Sequence, residues 1–190
     1  MATTQPIRSK KEIEKLKQYF LDRDEIRNYA LVVIGKNLPL RISDLLSIKW
    51  GQVYCKDMNC YRTHIILTEK KTGKKNMLPL NQNIQAALNL LKYKTENITD
   101  DMFIFHAGAG DKPLSRISAY LIIHNAAEAI GLQNIGCHSL RKTFGYHAWK
   151  NGVHLALIMS IYNHSSIHIT KRYLGIEQDD KDNVFYSLNL

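Results

Sequence analysis

Apolar positions recur every three or four residues at the start of the chain, switch to alternation near its middle, and return to helical spacing up to the C-terminus. Ser9-Lys10-Lys11-Glu12 reads as a capping box, and Ile13, Leu16 and Phe20 follow it at helical spacing. Asp24 is expected to cap a second helix through NYALVVIGK, apolar enough to be central, and a third runs through RISDLLSI after Pro39. The period then changes. YRTHIILT and KNMLPL are rich in β-formers and flank the polar turn EKKTGKK, where Gly73 permits a positive φ, so the pair predicts a β-hairpin. VYC is expected to add a third strand to it. Further helices are predicted in NIQAALNLLKYK and, after the short extended piece FIF, in SRISAYLIIHNAAEAI, capped by Ser115 and ended near Gly131. HSLRKTFGYHAWKNG is another, stopping at Gly152; HLALIMSI, SSIHITKRY and a tail helix in DDKDNVFYSL complete the chain. The fold class is mostly α with a small antiparallel β-sheet, α+β. The expected organisation is a flexible tail over residues 1–8, one domain over 9–174 and a C-terminal tail or helix over 175–190.

A chain of 190 residues suits one domain with a core that needs no disulfide or metal. No stretch approaches the roughly 20 apolar residues that span a membrane, and the start lacks the apolar run of a secretory signal. With an odd number of cysteines (Cys55, Cys60 and Cys137), this predicts reduced thiols in a cytoplasm. Cys55 and Cys60 form a single C-x4-C pair without a second pair to complete a zinc site, so neither a metal nor a cofactor is expected. The formal net charge is +9, concentrated in RSKKEIEKLK and TEKKTGKK, whereas EQDDKD is acidic. That balance points to a polyanion partner, most often nucleic acid, on one face of the molecule.

Four stretches hold candidate chemistry. In HSLR, His138 and Arg141 share one face near a helix N-terminus. That end favours an anion, Arg offers a planar fork for two phosphate oxygens, and His can move a proton near neutral pH. In HSSIHITKRY, Tyr173 is a nucleophile only if cations favour its phenolate, and Lys171 and Arg172 flank it while His164 lies nine residues upstream. Arg41 opens an apolar helix and needs a partner, which Asp44 is expected to supply. Lys71, in the hairpin turn, can reach a bound strand as a general acid. Each also has an ordinary reading: a capping His with a surface Arg, an aromatic core residue, an i,i+3 ion pair, a solvated loop. His147, Trp149 and His154 are expected to pack or cap, Met159 to lie in the core, and Cys137 to be a small buried residue rather than a thiol nucleophile.

Taken in order, Arg-x-x-Asp, a hairpin Lys, His-x-x-Arg, His and a late Tyr resemble the catalytic domain of the tyrosine recombinases, the phage-integrase family. The likeness runs from about Ser9 to the end and is most specific in HSLRKTF and NHSSIHITKRYLG. It implies that Arg41 and Arg141 clamp a scissile phosphate and that Asp44 supports the site. It implies Lys71 as general acid with Lys70 and Lys74 as adjacent alternatives, His138 as a proton-transfer and phosphate-binding group, His164 as a group that hydrogen-bonds the phosphate, and Tyr173 as nucleophile. Lys70, Lys74, Lys75, Lys142 and Arg172 are expected on double-stranded DNA. The implied activity is site-specific recombination through a 3′-phosphotyrosine intermediate, without metal or ATP. The implied setting is a bacterial or phage-derived protein of the cytoplasm, at the nucleoid, monomeric when free and assembling into a dimer or tetramer on DNA, with room for a directionality or accessory factor. The tail either passes to a neighbouring protomer or packs on its own domain. Two departures stand out: Tyr162-Asn163 replaces the usual Leu-Gly before the second His, and NLPL precedes Arg41 where a Gly is more usual. Asn tolerates left-handed backbone, so that turn is expected to survive. Only MATTQPIRSKK precedes the catalytic region, which leaves open a stand-alone recombinase or a shortened one. Two other readings remain: a type IB topoisomerase-like nicking-closing enzyme, and a non-catalytic DNA-binding accessory protein on the same fold.

Overall fold

The computed structural model describes residues 4–108 and 111–188. Helix α1 (Lys10–Leu21) has the expected N-cap, which is the Ser9 half of the predicted capping box: Ser9 Oγ accepts from the Glu12 amide at 3.4 Å, and Ile13, Leu16 and Phe20 face the core. Asp24 does not cap α2 (Ile26–Asn37). It sits in the reversal between the two helices at φ 54°, where the Glu25 amide returns to the Phe20 carbonyl, and its carboxylate pairs with Lys94 at 2.8 Å. Asp is among the few non-glycine residues that tolerate this conformation, and a cap would need an extended one. Helix α2 is central, buried from Ala30 through Gly35. Helix α3 (Ile42–Leu45) is a single turn with Arg41 at its N-cap rather than inside it.

The hairpin forms from β3 (His64–Thr68) and β4 (Lys75–Pro79), antiparallel, with His64 opposite Pro79 and Thr68 opposite Lys75. The VYC segment does not join it. Strand β1 (Tyr54–Cys55) pairs instead with β2 (Cys60–Tyr61), because the chain folds straight back and the Arg62 amide reaches the Val53 carbonyl at 2.8 Å. Helix α4 (Gln82–Tyr93) follows. Phe103 of FIF makes only an isolated bridge to Lys49, and the next ladder joins β5 (His106–Ala107) to β6 (Lys112–Pro113). Helix α5 (Arg116–Ala129) is capped by Ser115, and α6 (Cys137–Lys150) ends before Gly152 at φ 83°. Helices α7 (Leu155–Tyr162), α8 (Ile167–Leu174) and α9 (Glu177–Leu188) complete the fold. The last two residues of the predicted tail lie outside the described residues.

Helix α2 packs against α1, α4, α5 and α6 to form the main core. A second cluster of Tyr146, Ile158, Tyr162, Leu174 and Ile176 ties α6 to α7 and α8. Gly145 makes that junction possible. A Cβ there would lie 2.7 Å from both the Tyr162 hydroxyl and Leu174 Cδ2. Tyr162 has no solvent exposure and no room to retreat. Gly145→Ala is therefore expected to lower the urea midpoint: an overpacking cost toward the upper end of about 1–3 kcal/mol exceeds the ~1 kcal/mol gained in helix propensity.

The chain's start differs from the flexible tail read from sequence. Residues 1–3 lie outside the described residues, but residues 4–8 form a strap over α6. Ile7 is buried, its amide donating to Thr143 Oγ1 at 2.9 Å and its carbonyl facing His147 Nε2 at 3.0 Å. The Gln5 amide donates to the Asn134 carbonyl at 3.0 Å, and Arg8 donates to the Gly175 carbonyl at 2.9 Å. The apolar side chain of Ile7 anchors a strap that composition alone marks as polar.

Candidate active site

Two buried groups set the site. Helix α6 starts at Gly136, whose amide donates to Ser139 Oγ at 3.1 Å. His138 lies exposed on the first turn, and Arg141 lies one turn further in with only 3 % of its surface exposed. The Arg141 guanidinium stacks 4.8 Å from the centroid of the Tyr162 ring and donates through Nη2 to the Tyr162 carbonyl at 3.2 Å. Tyr162 returns a hydrogen bond from its hydroxyl to the Arg141 carbonyl at 2.5 Å. Nη1 of Arg141 is buried and has no hydrogen-bond partner among the described residues. An unpaired buried donor on a charged group is costly, and an anion is the natural complement to it. Burial lowers the pKa of Arg141, while Tyr173 and Tyr162 oppose the shift; the side chain remains a cation at neutral pH.

The turn into α8 survives its Asn. Asn163 adopts φ 55°, ψ 36° and caps α7 in the left-handed conformation. His164 follows, with Nδ1 3.1 Å from the hydroxyl of the fully buried Thr170. Its ring stacks on Tyr162 at 5.3 Å and meets the Tyr173 ring edge-on at 5.2 Å. Tyr173 and Tyr162 are 5.6 Å apart. Burial raises the Tyr173 phenol pKa, and the charges of Arg141 and Arg41 pull it partly back. Desolvation, then the cations Arg141, Lys142 and Arg41, lower the pKa of His138; desolvation, then Arg141 and Arg41, lower that of His164. His138 keeps an open outer face, so the cations are the firmer cause there. These mutual influences place Arg41, Arg141, His138, His164 and Tyr173 in one electrostatic neighbourhood.

Two expected partnerships change. Arg41 pairs with Glu69, not with Asp44. Asp44 is buried and its Oδ1 accepts from the Lys70 amide at 3.1 Å, so it holds the hairpin turn while Arg41, outside the helix, swings to the hairpin. Glu69 is the residue that sequence reasoning missed. It is 2 % exposed and also accepts from Thr72 Oγ1 at 2.7 Å, Asn76 Nδ2 at 2.9 Å and Asn163 Nδ2 at 3.3 Å. Burial alone would raise its pKa, but the hydrogen bonds from Thr72, Arg41 and Asn76 and the charge of Arg41 outweigh burial and lower it. The available signal was a single acid at the foot of a lysine-rich turn.

Lys142 is also corrected. It is buried rather than on a DNA-facing surface, because α6 turns it inward: Nζ donates to the Thr4 carbonyl at 2.6 Å and lies 5.2 Å from the centroid of the Tyr173 ring. Lys70, Lys71, Lys74 and Lys75 are exposed on and beside the hairpin turn, where Gly73 has φ 67°, and Arg172 is exposed on α8. Lys71 follows the Lys70 amide that Asp44 holds, and among the described residues its ammonium makes no hydrogen bond or ion pair. His147 packs against the strap, Trp149 against the second cluster, and Met159 is half-buried rather than fully in the core. His154 stands at the N-cap of α7 without a side-chain capping bond. Burial pushes the Cys137 thiol up to about 11, which makes it a poor nucleophile. Among the described residues no group of three or more His, Cys, Asp or Glu could hold a metal ion, and Cys55 and Cys60 are free thiols opposite one another across β1 and β2.

Buried Arg141 and the ring-packed His164 and Tyr173 lie together at the end of a helical domain, and the sequence pattern of the "Phage integrase family" matches residues 8–179. The chain belongs to that family, the tyrosine recombinases. It is 40% identical over 179 residues to "Probable integrase/recombinase YoeC" of Bacillus subtilis, covering 94% of this chain and 93% of that one. It is 26% identical over 164 residues to "Tyrosine recombinase XerC" of Roseiflexus castenholzii, covering 82% of this chain and 49% of the relative. The chain therefore spans nearly all of the first relative and about half of the Xer proteins. Among solved structures, XerA recombinase matches all of this chain and 66% of its own, with a TM-score of 0.75 at 19% identity. XerH recombinase bound to palindromic difH substrate matches 99% of this chain and 54% of its own, with a TM-score of 0.71 at 18% identity. At that identity the structural likeness establishes the fold: a mostly helical tyrosine-recombinase catalytic domain with small antiparallel sheets. Among the described residues no helix is long and apolar enough to cross a membrane.

Proposed function

We propose that the chain is a site-specific DNA recombinase that cuts and rejoins strands through a covalent 3′-phosphotyrosine. The observation that carries this reading is the buried, unpartnered Nη1 of Arg141 in the same electrostatic neighbourhood as Tyr173. Arg141 and Arg41 bind and polarise the scissile phosphate, with His164, steadied by Thr170, beside them. Tyr173 Oη attacks phosphorus, the bond from phosphorus to the 5′ oxygen breaks, and the phenolic proton passes to His138. Lys71 supplies the proton that the departing 5′ oxygen takes up. A 5′ hydroxyl from a second strand reverses these steps, so the linkage energy is retained and no nucleotide is consumed. Positive side chains stabilise the charge on the phosphoryl group.

Double-stranded DNA is the partner, and the exposed lysines of the hairpin turn lie against its backbone. On DNA the protein assembles as a dimer or tetramer. Helix α9 has the composition for an exchange between protomers, since Val184, Phe185, Tyr186 and Leu188 are all exposed on it. The protein acts in the bacterial cytoplasm.

The test is a suicide duplex, nicked beside the cleavage position so that the freed 5′ fragment diffuses away, drawn from a randomised pool and resolved on a denaturing gel. A DNA-linked form of the protein is expected. Binding to DNA with no linked form across the pool would favour an accessory protein on the same fold.

A further inference from the structure

The carboxylate of Glu69 receives hydrogen bonds from three separate parts of the chain. Arg41 comes from the entry to α3, Thr72 and Asn76 from the hairpin that presents Lys71, and Asn163 from the left-handed turn immediately before His164. Its own backbone closes the hairpin turn, with the amide donating to the Lys74 carbonyl at 2.9 Å and the carbonyl accepting from the Gly73 amide at 2.9 Å. The side chain is 2 % exposed, so solvent cannot take over any of these bonds.

An acid beside a phosphate-binding site is unfavourable on charge alone, since it reduces the field that Arg41 offers an anion. Its place there is offset by a geometric gain. A buried acceptor that holds Arg41 through Nη1 fixes the plane of the guanidinium and leaves its other nitrogens to point elsewhere. The same two oxygens set the distance from Arg41 to the lysine turn and to the His164 turn. Asp44 reinforces the arrangement by gripping the Lys70 amide, one residue from Glu69, at 3.1 Å.

We propose that Glu69 is a positioning residue, the single buried carboxylate that holds Arg41, the hairpin lysine and the His164 turn in register for strand cleavage. This rests on the recombinase reading above and adds a residue to it. Glu69 touches neither the phosphate nor the reacting atoms; it acts through Arg41 and Asn163.

The test uses the full chain and the suicide duplex. Glu69→Gln, which keeps the shape and removes the charge, is expected to slow formation of the DNA-linked form by about 10- to 100-fold, the scale of a misplaced reacting group. Affinity for the uncleaved duplex should stay within about threefold, less than 1 kcal/mol. Asn163→Gly, which retains the left-handed turn and removes the amide, should give a smaller loss in the same direction. In an Arg41→Ala background Glu69→Gln should add little further loss, because residues acting through one another are not additive. Losses that multiply independently would show that Glu69 supports folding rather than Arg41 and would overturn the proposal, as would unchanged cleavage in a folded Glu69→Gln protein. The carboxyl titration of Glu69, followed by carbon NMR on the free protein, separates this idea from the recombinase reading. It should lie below the ordinary glutamate range and rise in Arg41→Ala. An ordinary titration in both proteins would sink the positioning role whatever DNA does, while absence of any DNA-linked form from the unmodified protein would count against the recombinase reading alone.

Discussion

Tyr173→Phe is expected to abolish the DNA-linked form while leaving the fold and duplex binding nearly intact. The Tyr173 ring meets His164 at 5.2 Å and Tyr162 at 5.6 Å, and the Lys142 ammonium lies 5.2 Å from its centroid. Phe keeps the rings in contact, so stability should change by no more than about 1 kcal/mol, the scale of one hydroxyl. The chemistry has no such substitute, because only the oxygen can bond to phosphorus. In the free protein the phenol is protonated at neutral pH, since burial raises its pKa more than Arg141 and Arg41 lower it. Attack therefore requires a proton acceptor. In the proposed mechanism that acceptor is His138, whose pKa is held below its ordinary 6.5 by burial and by the charges of Arg141, Lys142 and Arg41, which favours the neutral, proton-accepting imidazole. Denaturing gels and duplex-binding titrations on the two proteins check both halves of this expectation, and a DNA-linked form persisting in Tyr173→Phe would assign the nucleophile to another residue.

The second large effect belongs to Arg141. Arg141→Lys retains the positive charge and removes the planar fork. One arm of that fork donates to the Tyr162 carbonyl at 3.2 Å, and the other has no hydrogen-bond partner among the described residues. A lysine cannot satisfy the carbonyl and present a second fixed donor at once. Cleavage should fall by about 10²- to 10³-fold, the loss seen when one preorganised donor to a developing negative charge is removed. Stability should fall as well, by about 1–3 kcal/mol, because the Tyr162 carbonyl loses its charged partner in a buried setting. Single-turnover cleavage and urea unfolding measure the two losses separately. Wild-type cleavage in a destabilised Arg141→Lys protein would remove the fork from the mechanism.

What could be read from sequence was local. The Ser9 and Ser115 caps, the Gly73 turn and the Asn163 turn each depend on residues within a few positions of one another. Their chemistry is therefore visible in a short window. His138 and Arg141 belong to the same class, being one helical turn apart. The Arg41 partner was not legible, because two acids were available and sequence proximity favoured Asp44, three residues away. The fold instead brings in Glu69 from 28 residues away. Lys142 was misread for a related reason. Charge argues for solvent, but its direction is set by how α6 sits on the chain's start, a contact spanning 138 positions. The VYC strand failed on topology: its residues favour a strand, but pairing was decided by the turn that follows at once, not by the hairpin further on.

The strap at residues 4–8 gives the N-terminal end of the chain a mechanical meaning. The Thr4 carbonyl holds the lysine that lies against the ring of Tyr173, and Arg8 grips the carbonyl of Gly175, the residue that caps the tyrosine's own helix. Strain on the strap is delivered through these two bonds to the ring of Tyr173 and to the end of its helix. The packing around Tyr173 and the end of its helix therefore depends on two bonds that span 138 and 167 positions of the chain.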